Sequence, residues 1–530
     1  MFKILVADKI APSGVEFLKS QPDVEVIEAY GSEPAVLKEK AIGMHGIIVR
    51  SESRITRDVL KDADELKVVG RAGVGVDNID IDASTEKGVI VMNAPEGNTI
   101  ATAELTFTHI LCGARPVPQA YAAMKEGRWD RKKFSGSEVN GKTLAILGMG
   151  RIGSEVARRA QAFNMQVLAV DPYLTEARAK ALDVSMVTLD EAFAEADYIT
   201  VHMPLTDQTR DLINADAISK MKDGVKIFNV ARGGIINEAD IHAALKSGKV
   251  AAAGLDVFTE EPLPEDHPFR KLDNLVTTPH LGASTKEAQE NVGIQIAENM
   301  LEALRGGVVR NAINAPTVDA KTLEILKPYL NLGTRMGTFI QQVSPDRVER
   351  LEITYYGKIV EIDALPLTRS IQRGYLLQIA GSEVNDVNAP MKLKRLGIRV
   401  KTTKNTDETD YSDLIEIRAV CPDGDNYSVQ GTLIGKGNAP RFVQVNEKDI
   451  EVIPAQNLLM IENEDTPGMV GHLGTILGSE GVNIANLSLY RTGQDSTALA
   501  FFELDSEPGP ETINRILESE GIQTARLIRA

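Results

Sequence analysis

The chain has 530 residues, and at roughly 100 to 200 residues per domain it should divide into about three to five units rather than bury one continuous core. Its 58 Lys and Arg stand against 75 Asp and Glu, a net charge of −17, which argues against a protein that neutralises nucleic-acid backbones or clings to anionic lipid. Cys112 and Cys421, far apart and outside any CxxC, supply neither a disulfide framework nor a thiolate metal site, and no apolar run reaches the ~18 residues of a membrane span.

At the N-terminus, charges at Lys3, Asp8 and Lys9 interrupt any signal-peptide core, so a reducing, cytoplasmic setting is expected. From Phe2 to about Pro95, short β-branched runs (KILVAD, VEVIEA, GIIVR, LKVVGRA, VIVMN) alternate with polar helical stretches, the rhythm of a parallel sheet. Residues 96–134 read as an inter-domain helix stopped or kinked by the prolines of ARPVPQA. From Asn140 a second series follows, KTLAILG, QVLAVD, YITVHMP, VKIFNVA, AAAGLDVF and LVTTPH, each separated by a helix-length segment. After His280, apolar positions Ile294, Ile296, Ala297, Met300, Leu301 and Leu304 predict a long helix, ended by Gly306 and Gly307, that returns the chain to the first unit. APTVDAKTLEILKPYL marks a seam, residues 317–454 mix helix with strand, and the last ~75 residues follow a βαββαβ order. The expected division is therefore 1–97 plus 283–312, then 98–282, 317–454 and 456–530. The fold class is two doubly wound α/β units followed by an α+β domain and a ferredoxin-like domain.

The sharpest motif is LAILGMGRIGSEVARRAQAF, where Gly148, Gly150 and Gly153 form GxGxxG between a strand and an amphipathic helix. Gly148 suits the tight turn, Gly150 a close approach to pyrophosphate, and Gly153 close helix packing, with the helix N-terminus facing the anion. The next strand ends in Asp171, whose carboxylate can accept from both ribose hydroxyls and would repel a 2′-phosphate, so NAD is expected rather than NADP. Three later strand ends carry Arg232 in ARGG, Glu260 and Glu261 in TEEP, and His280 after LVTTP. A cation, a carboxylate and an imidazole over one dinucleotide suit hydride transfer at a hydroxyl-bearing carbon beside a carboxylate. Arg232 would clamp that carboxylate, His280 would take the hydroxyl proton, and a glutamate on the other ring nitrogen would fix its tautomer and favour the imidazolium. Periodicity alone does not separate His280 from His202, which also follows a strand. No HExxH or acidic cluster calls for a metal.

At these residues the chain resembles the D-2-hydroxyacid dehydrogenases, through VRS, GRAGVGVDNID, GKTLAILGMGRIG, NVARGG, GLDVFTEEP and TPHLGASTKEAQ, and it is similar over essentially its whole length to the branch that oxidises 3-phosphoglycerate towards L-serine. The resemblance implies Arg232 as the substrate arginine, Glu261, immediately before Pro262, as the histidine's partner, and His280 as acid/base, with His202 lining the cofactor cleft. It implies cofactor contacts at Val74, Arg151, Ile152, Asp171, His202, Met203, Pro204, Val230, Ala231, Asp256, Gly282 and Ala283. Gly73 and Val74 would offer backbone N–H groups to the substrate carboxylate, beside Ser51. Arg50 and Arg71 would meet the phosphate, with Arg131, Lys132 and Lys133 reaching a neighbouring subunit's site. The C-terminal segment resembles an ACT domain, implying Asn463, Asp465 and Asn483 on bound L-serine, and 317–454 resembles the intervening domain, with Lys436 and Arg441 on an anionic effector. The expected assembly is a homotetramer. Two rival readings are a dehydrogenase of glycerate or hydroxypyruvate and an NAD-gated scaffold like the transcriptional corepressors.

Overall fold

In a computed structural model, the chain is described for residues 1–344, 347–422, 424, 426–491 and 497–529, apart from the side chain of Ser382. The first sheet has five strands, Phe2–Val6, Val24–Glu28, Gly46–Val49, Val68–Arg71 and Ile90–Asn93, in spatial order 2-1-3-4-5 with every pairing parallel. Ile4, Leu5 and Val6 are all fully buried, as a parallel strand covered by helices on both faces requires. The second sheet has seven parallel strands, with Thr143–Leu147 lying between Gln166–Val170 and the central strand Tyr198–Val201. Outward from Tyr198–Val201 come Val225–Asn229, Val250–Leu255 and Leu275–Thr277, and a two-residue strand, Ser185–Met186, closes the other edge.

Each sheet reverses its winding at one place. In the first this lies between Phe2–Val6 and Gly46–Val49, in the second between Thr143–Leu147 and Tyr198–Val201. Side chains and loops leaving the carboxyl ends at such points border a crevice that no crossover helix fills, which is where open α/β sheets bind ligands.

The helical stretch 96–134 is two helices, Thr99–Ala114 and Val117–Lys125. Pro116 lacks an N–H and pushes Arg115 into extended backbone (φ −126°, ψ 110°), and the segment after Lys125 is not helical. The helix Lys286–Leu304 begins at Thr285, whose side chain accepts from Ala288 N at 3.1 Å, and lays Val292, Ile296, Ala297, Met300 and Leu304 against Ile4, Val6, Val68 and Met92 of the first sheet.

Beyond it, most of the supposed seam is the start of a 24-residue helix, Ala320–Val343, capped by Asp319 (Thr322 N to Oδ1, 2.9 Å). A six-stranded mixed sheet follows. Three of its strands went unread in the sequence, Arg399–Asn405, Ala439–Val445 and Lys448–Val452, the first because it is a mostly exposed edge and so lacks an apolar alternation. The described residues of 457–529 fold as βαββαβ, with an antiparallel sheet whose strands alternate between two faces away from bulges at Glu462/Asn463 and Ile484/Asn486. Leu459, Ile461, Ala500 and Phe502 pack towards the domain's own helices. Leu458, Met460, Leu499 and Phe501 join Met336 and Phe339 of the preceding domain in one core. The expected border at 454–456 is thus a change of chain pattern and not a gap between two cores.

Candidate active site

The carboxyl ends of both parallel sheets border a cleft of about 770 Å³. On the second sheet, strand Thr143–Leu147 runs into Gly148 and Met149, and Gly150 caps the helix Arg151–Ala162. Gly148 has φ +101°, and a side chain there would strike the carbonyl of His202 on the neighbouring strand end, while one at Gly153 would strike the carbonyl of Gly148. At Gly150 a Cβ would meet no protein atom within 4 Å, so the bare backbone leaves open space above the helix N-terminus, the place a pyrophosphate takes. Asp171 stands beside the turn, accepting from Met149 N and Tyr173 N, each at 2.8 Å. Ile152, His202, Met203, Pro204, Val230, Ala231, Gly282 and Ala283 all line the cleft, while Arg151 pairs with Glu96 at 3.0 Å. Open glycine backbone, helix N-terminus and acid at the next strand end fit a dinucleotide.

Across the cleft mouth, His280 Nδ1 and Glu261 Oε2 are 2.7 Å apart. The other oxygen, Oε1, accepts from Phe258 N at 2.9 Å, so the carboxylate is fixed at both ends. Burial pushes the Glu261 carboxyl upward, but the hydrogen bonds from His280 and Phe258 and the nearby Arg232 outweigh it and hold it below its ordinary value. His280 has φ +54°, unusual for a residue with a side chain, and its side chain is 50% exposed, leaving Nε2 free to face a ligand. His202 differs in kind. Its Nε2 lies 3.1 Å from Thr200 Oγ1, among the described residues its Nδ1 has no partner and no carboxylate stands against it, and burial drives it down to about 3. A ring that stays neutral throughout the working range can line a cleft but is poorly suited to cycling a proton.

Arg232 is set by Asn229, which takes Ala231 N on Oδ1 (2.9 Å) and donates Nδ2 to the Arg232 carbonyl (2.8 Å). Its guanidinium reaches the first sheet, with Nε 3.5 Å from Asp77 Oδ2. Arg71 ends the strand Val68–Arg71, and burial, together with repulsion from Arg232, lowers it to about 10. Its Nε has no partner among the described residues. Arg50 and Ser51 follow the strand Gly46–Val49 and line the same cleft, with Arg50 N held by Asp8 Oδ2 at 2.6 Å. Three guanidinium groups around one crevice in an acidic protein make an anion site.

Several expected residues stand elsewhere or do other work. Gly73 N already donates to the Arg71 carbonyl at 2.8 Å, so of the two amides proposed for a carboxylate only Val74 N is without an acceptor among the described residues. Asp256, expected on the cofactor, is fully buried and spends its carboxylate on Thr278 Oγ1, Leu281 N and Gly282 N. Arg131, Lys132 and Lys133 are exposed on the segment after Val117–Lys125 and do not border their own chain's cleft. Sequence reading missed Asn229 and Asp77, although both sit inside the quoted motifs.

In the C-terminal domain Asp465 pairs with Arg491 at 3.1 Å, and Asn463 is buried with Oδ1 unpartnered among the described residues. Asn483 donates to Asp505 Oδ2 at 2.6 Å. Asn463 and Arg491 both pair opposite Ala498, whereas Asn483 precedes Ile484 at the far end of the strand that ends in Arg491, about 26 Å from that level at ~3.3 Å per residue. One chain therefore does not bring the three together. Arg441 is engaged by the Pro440 carbonyl (2.9 Å) and by Glu451 (3.7 Å), and Lys436 lies exposed in the adjoining turn. Among the described residues, no helix is long and apolar enough to cross a membrane.

Residues 107–282 match the NAD binding domain of the D-isomer specific 2-hydroxyacid dehydrogenases, 325–446 the D-3-phosphoglycerate dehydrogenase intervening domain, and 457–521 the ACT domain. The chain is 40% identical to D-3-phosphoglycerate dehydrogenase of Methanocaldococcus jannaschii over 100% of both chains, and 39% identical to that of Archaeoglobus fulgidus over 99% of both. A solved D-lactate dehydrogenase from Escherichia coli superposes with a TM-score of 0.52 at 27% identity, covering 59% of this chain and 100% of that one.

Proposed function

Since the chain belongs to the D-3-phosphoglycerate dehydrogenase family, we infer that it oxidises 3-phospho-D-glycerate to 3-phosphohydroxypyruvate with NAD, the first step of phosphorylated L-serine synthesis. The observation that carries this reading is the 2.7 Å Glu261–His280 pair in a cleft that also holds Arg232, Arg71 and Arg50. NAD, when bound over the glycine turn, supplies the acceptor for the hydride that leaves C2. Every other part of the chemistry belongs to the chain's own side chains.

Glu261, held ionised, keeps the proton on His280 Nδ1, so the lone pair of Nε2 is turned to the cleft. Nε2 takes the C2 hydroxyl proton, and the resulting imidazolium is stabilised by the carboxylate at its other nitrogen; the reverse reaction returns the proton. Arg232 clamps the substrate carboxylate with two parallel donors, assisted by Val74 N, and must leave Asp77 to do so. Arg50 and Arg71, with Ser51, take the phosphate. Asp171 holds the adenosine ribose and disfavours NADP. Asp256 serves by fixing the backbone of residues 281–282.

The dehydrogenase half alone is shared with an enzyme named for lactate, so phosphate selection rests on the cations and not on the fold. Serine feedback through the ACT domain follows the family, and its effector site would combine Asn463 and Asp465 of one copy with Asn483 of another. Assembly as a tetramer, with Arg131 and Lys132 serving a neighbouring cleft, and a cytoplasmic location complete the reading. The proposed units are a substrate-binding domain of 1–97 plus 283–312, an NAD domain of 98–282, an intervening domain of 317–454 and an ACT domain of 456–530. NADH formation from 3-phosphoglycerate tests it. The unsubstituted enzyme should turn over, and His280→Ala should bind NAD without producing NADH; equal turnover by both would overturn the acid/base role.

A further inference from the structure

We propose that His109 and Thr278 are positioning residues for the acid/base histidine, acting through a buried hydrogen-bond chain that ties the helix Thr99–Ala114 to the loop carrying His280. The inference rests on the acid/base role of His280 given above. His109 is 2% exposed, and its Nε2 lies 2.9 Å from Thr278 Oγ1. Thr278 Oγ1 in turn lies 2.6 Å from Asp256 Oδ1.

The protons on this chain can be assigned. Thr278 has one hydroxyl proton, and Asp256 is the partner that can only accept while ionised, so that proton points to Oδ1. The contact with His109 must then carry a proton from the ring, which makes His109 the Nε2–H tautomer. Its Nδ1 is left as a bare lone pair against the Gly254 backbone, buried and unpartnered among the described residues. An imidazolium would bury a second N–H with no acceptor. Burial, partly opposed by Asp256, indeed lowers the basicity of the ring, in keeping with a neutral donor.

What the chain holds is the backbone on either side of His280. Asp256 receives Leu281 N (2.7 Å) and Gly282 N (2.9 Å) on its side chain and His280 N on its carbonyl (2.9 Å). The same helix sends a second tie, Thr102 Oγ1 to the Gly282 carbonyl at 2.9 Å. A left-handed residue with a Cβ persists only where its surroundings over-determine it, and this network supplies the constraint on His280. Without the Thr278 hydroxyl, His109 loses its acceptor and Asp256 one of its three donors. The loop is then free to drift, and a misplacement of about 1 Å at a reacting group can cost about a hundredfold in rate.

The test compares Thr278→Val, which keeps the shape and removes the hydroxyl, with Thr278→Ser, which keeps the hydroxyl, and adds His109→Phe and His280→Ala. Thr278→Val is expected to lower kcat by about 10- to 100-fold while KM for 3-phosphoglycerate and the Kd of NAD stay within about threefold. Thr278→Ser is expected to recover kcat to within about threefold, and His109→Phe to fall between them. NAD-binding stoichiometry reports the folded fraction, so misfolding is separated from misplacement. If Thr278→Val stays within twofold of the unsubstituted kcat, or Thr278→Ser is as impaired as Thr278→Val, the inference is overturned. A fully active His280→Ala would instead overturn the acid/base reading beneath it.

Discussion

The dehydrogenase half and the C-terminal half handle their polar residues differently. In the first, Arg50, Arg71, Arg232, Glu261 and His280 come from five strand ends of two parallel sheets and border one cleft within a single chain. In the second, the residues expected on an effector sit at opposite ends of one antiparallel sheet, and one of its two faces is already committed to the neighbouring domain's core. Parallel sheets gather functional groups because every strand ends on the same side; antiparallel sheets scatter them. One chain thus gathers Arg50, Arg71, Arg232, Glu261 and His280 around a single cleft, whereas it leaves Asn463 and Asp465 far from Asn483.

The contrast orders the expected effects. His280→Ala should be the most damaging, lowering kcat by at least about 10²–10⁴-fold in NADH assays while NAD binding persists. Glu261→Gln should cost less, about 10- to 100-fold in kcat, because the imidazole stays but loses its orienting anion. The same variant tests the linkage between charge and folding. The Glu261 carboxyl is lowered on folding, so its ionised form contributes stability above the ordinary carboxylate range, and that contribution is lost as pH falls through the folded value. The Tm deficit of Glu261→Gln should therefore be present near about pH 7 and shrink towards about pH 3.

Arg50→Ala should lower kcat/KM for 3-phosphoglycerate by about 10- to 100-fold and leave turnover of D-glycerate within about threefold, which would sharpen the distinction between phosphate and carboxylate recognition. In the C-terminal half, Asp465→Ala and Asn483→Ala should each raise the half-inhibiting serine concentration at least about tenfold. Mixed oligomers carrying one of these substitutions per subunit should regain part of the response if, as proposed, the effector site combines residues of two copies. The smallest effect belongs to the seam between the halves, where Arg395 pairs with Glu86 at 2.6 Å and Asn385 donates to the Gly88 carbonyl at 2.8 Å. Arg395→Ala should reduce serine inhibition only about two- to threefold, as an exposed ion pair is worth little by itself.

Much of this was legible because parallel strands advertise themselves. KILVA, TLAIL and KIFNV are apolar on both faces, and the functional residues stand at or within a few residues of the ends of such runs. Arg232, Glu261 and His280 could thus be placed at strand ends of one sheet, and Glu261 chosen over Glu260 by family resemblance. What stayed hidden depends on atoms and not on order. Nothing in GRAGVGVDN reveals that Gly73 N is spent on Arg71, and nothing in AAAGLDVF reveals that Asp256 is sealed under the loop it supports. The strand Arg399–Asn405 carries no apolar alternation because it is an exposed edge. Nor does the sequence of residues 317–454 reveal that their core is shared with the last domain.

The most direct test of the whole reading compares kcat/KM for 3-phosphoglycerate and for D-glycerate in one NAD-coupled assay. A preference of at least about a hundredfold for the phosphorylated acid is expected from the guanidinium groups that surround the cleft. Equal values for the two substrates would contradict it, because those cations would then have no anion beyond the carboxylate to hold.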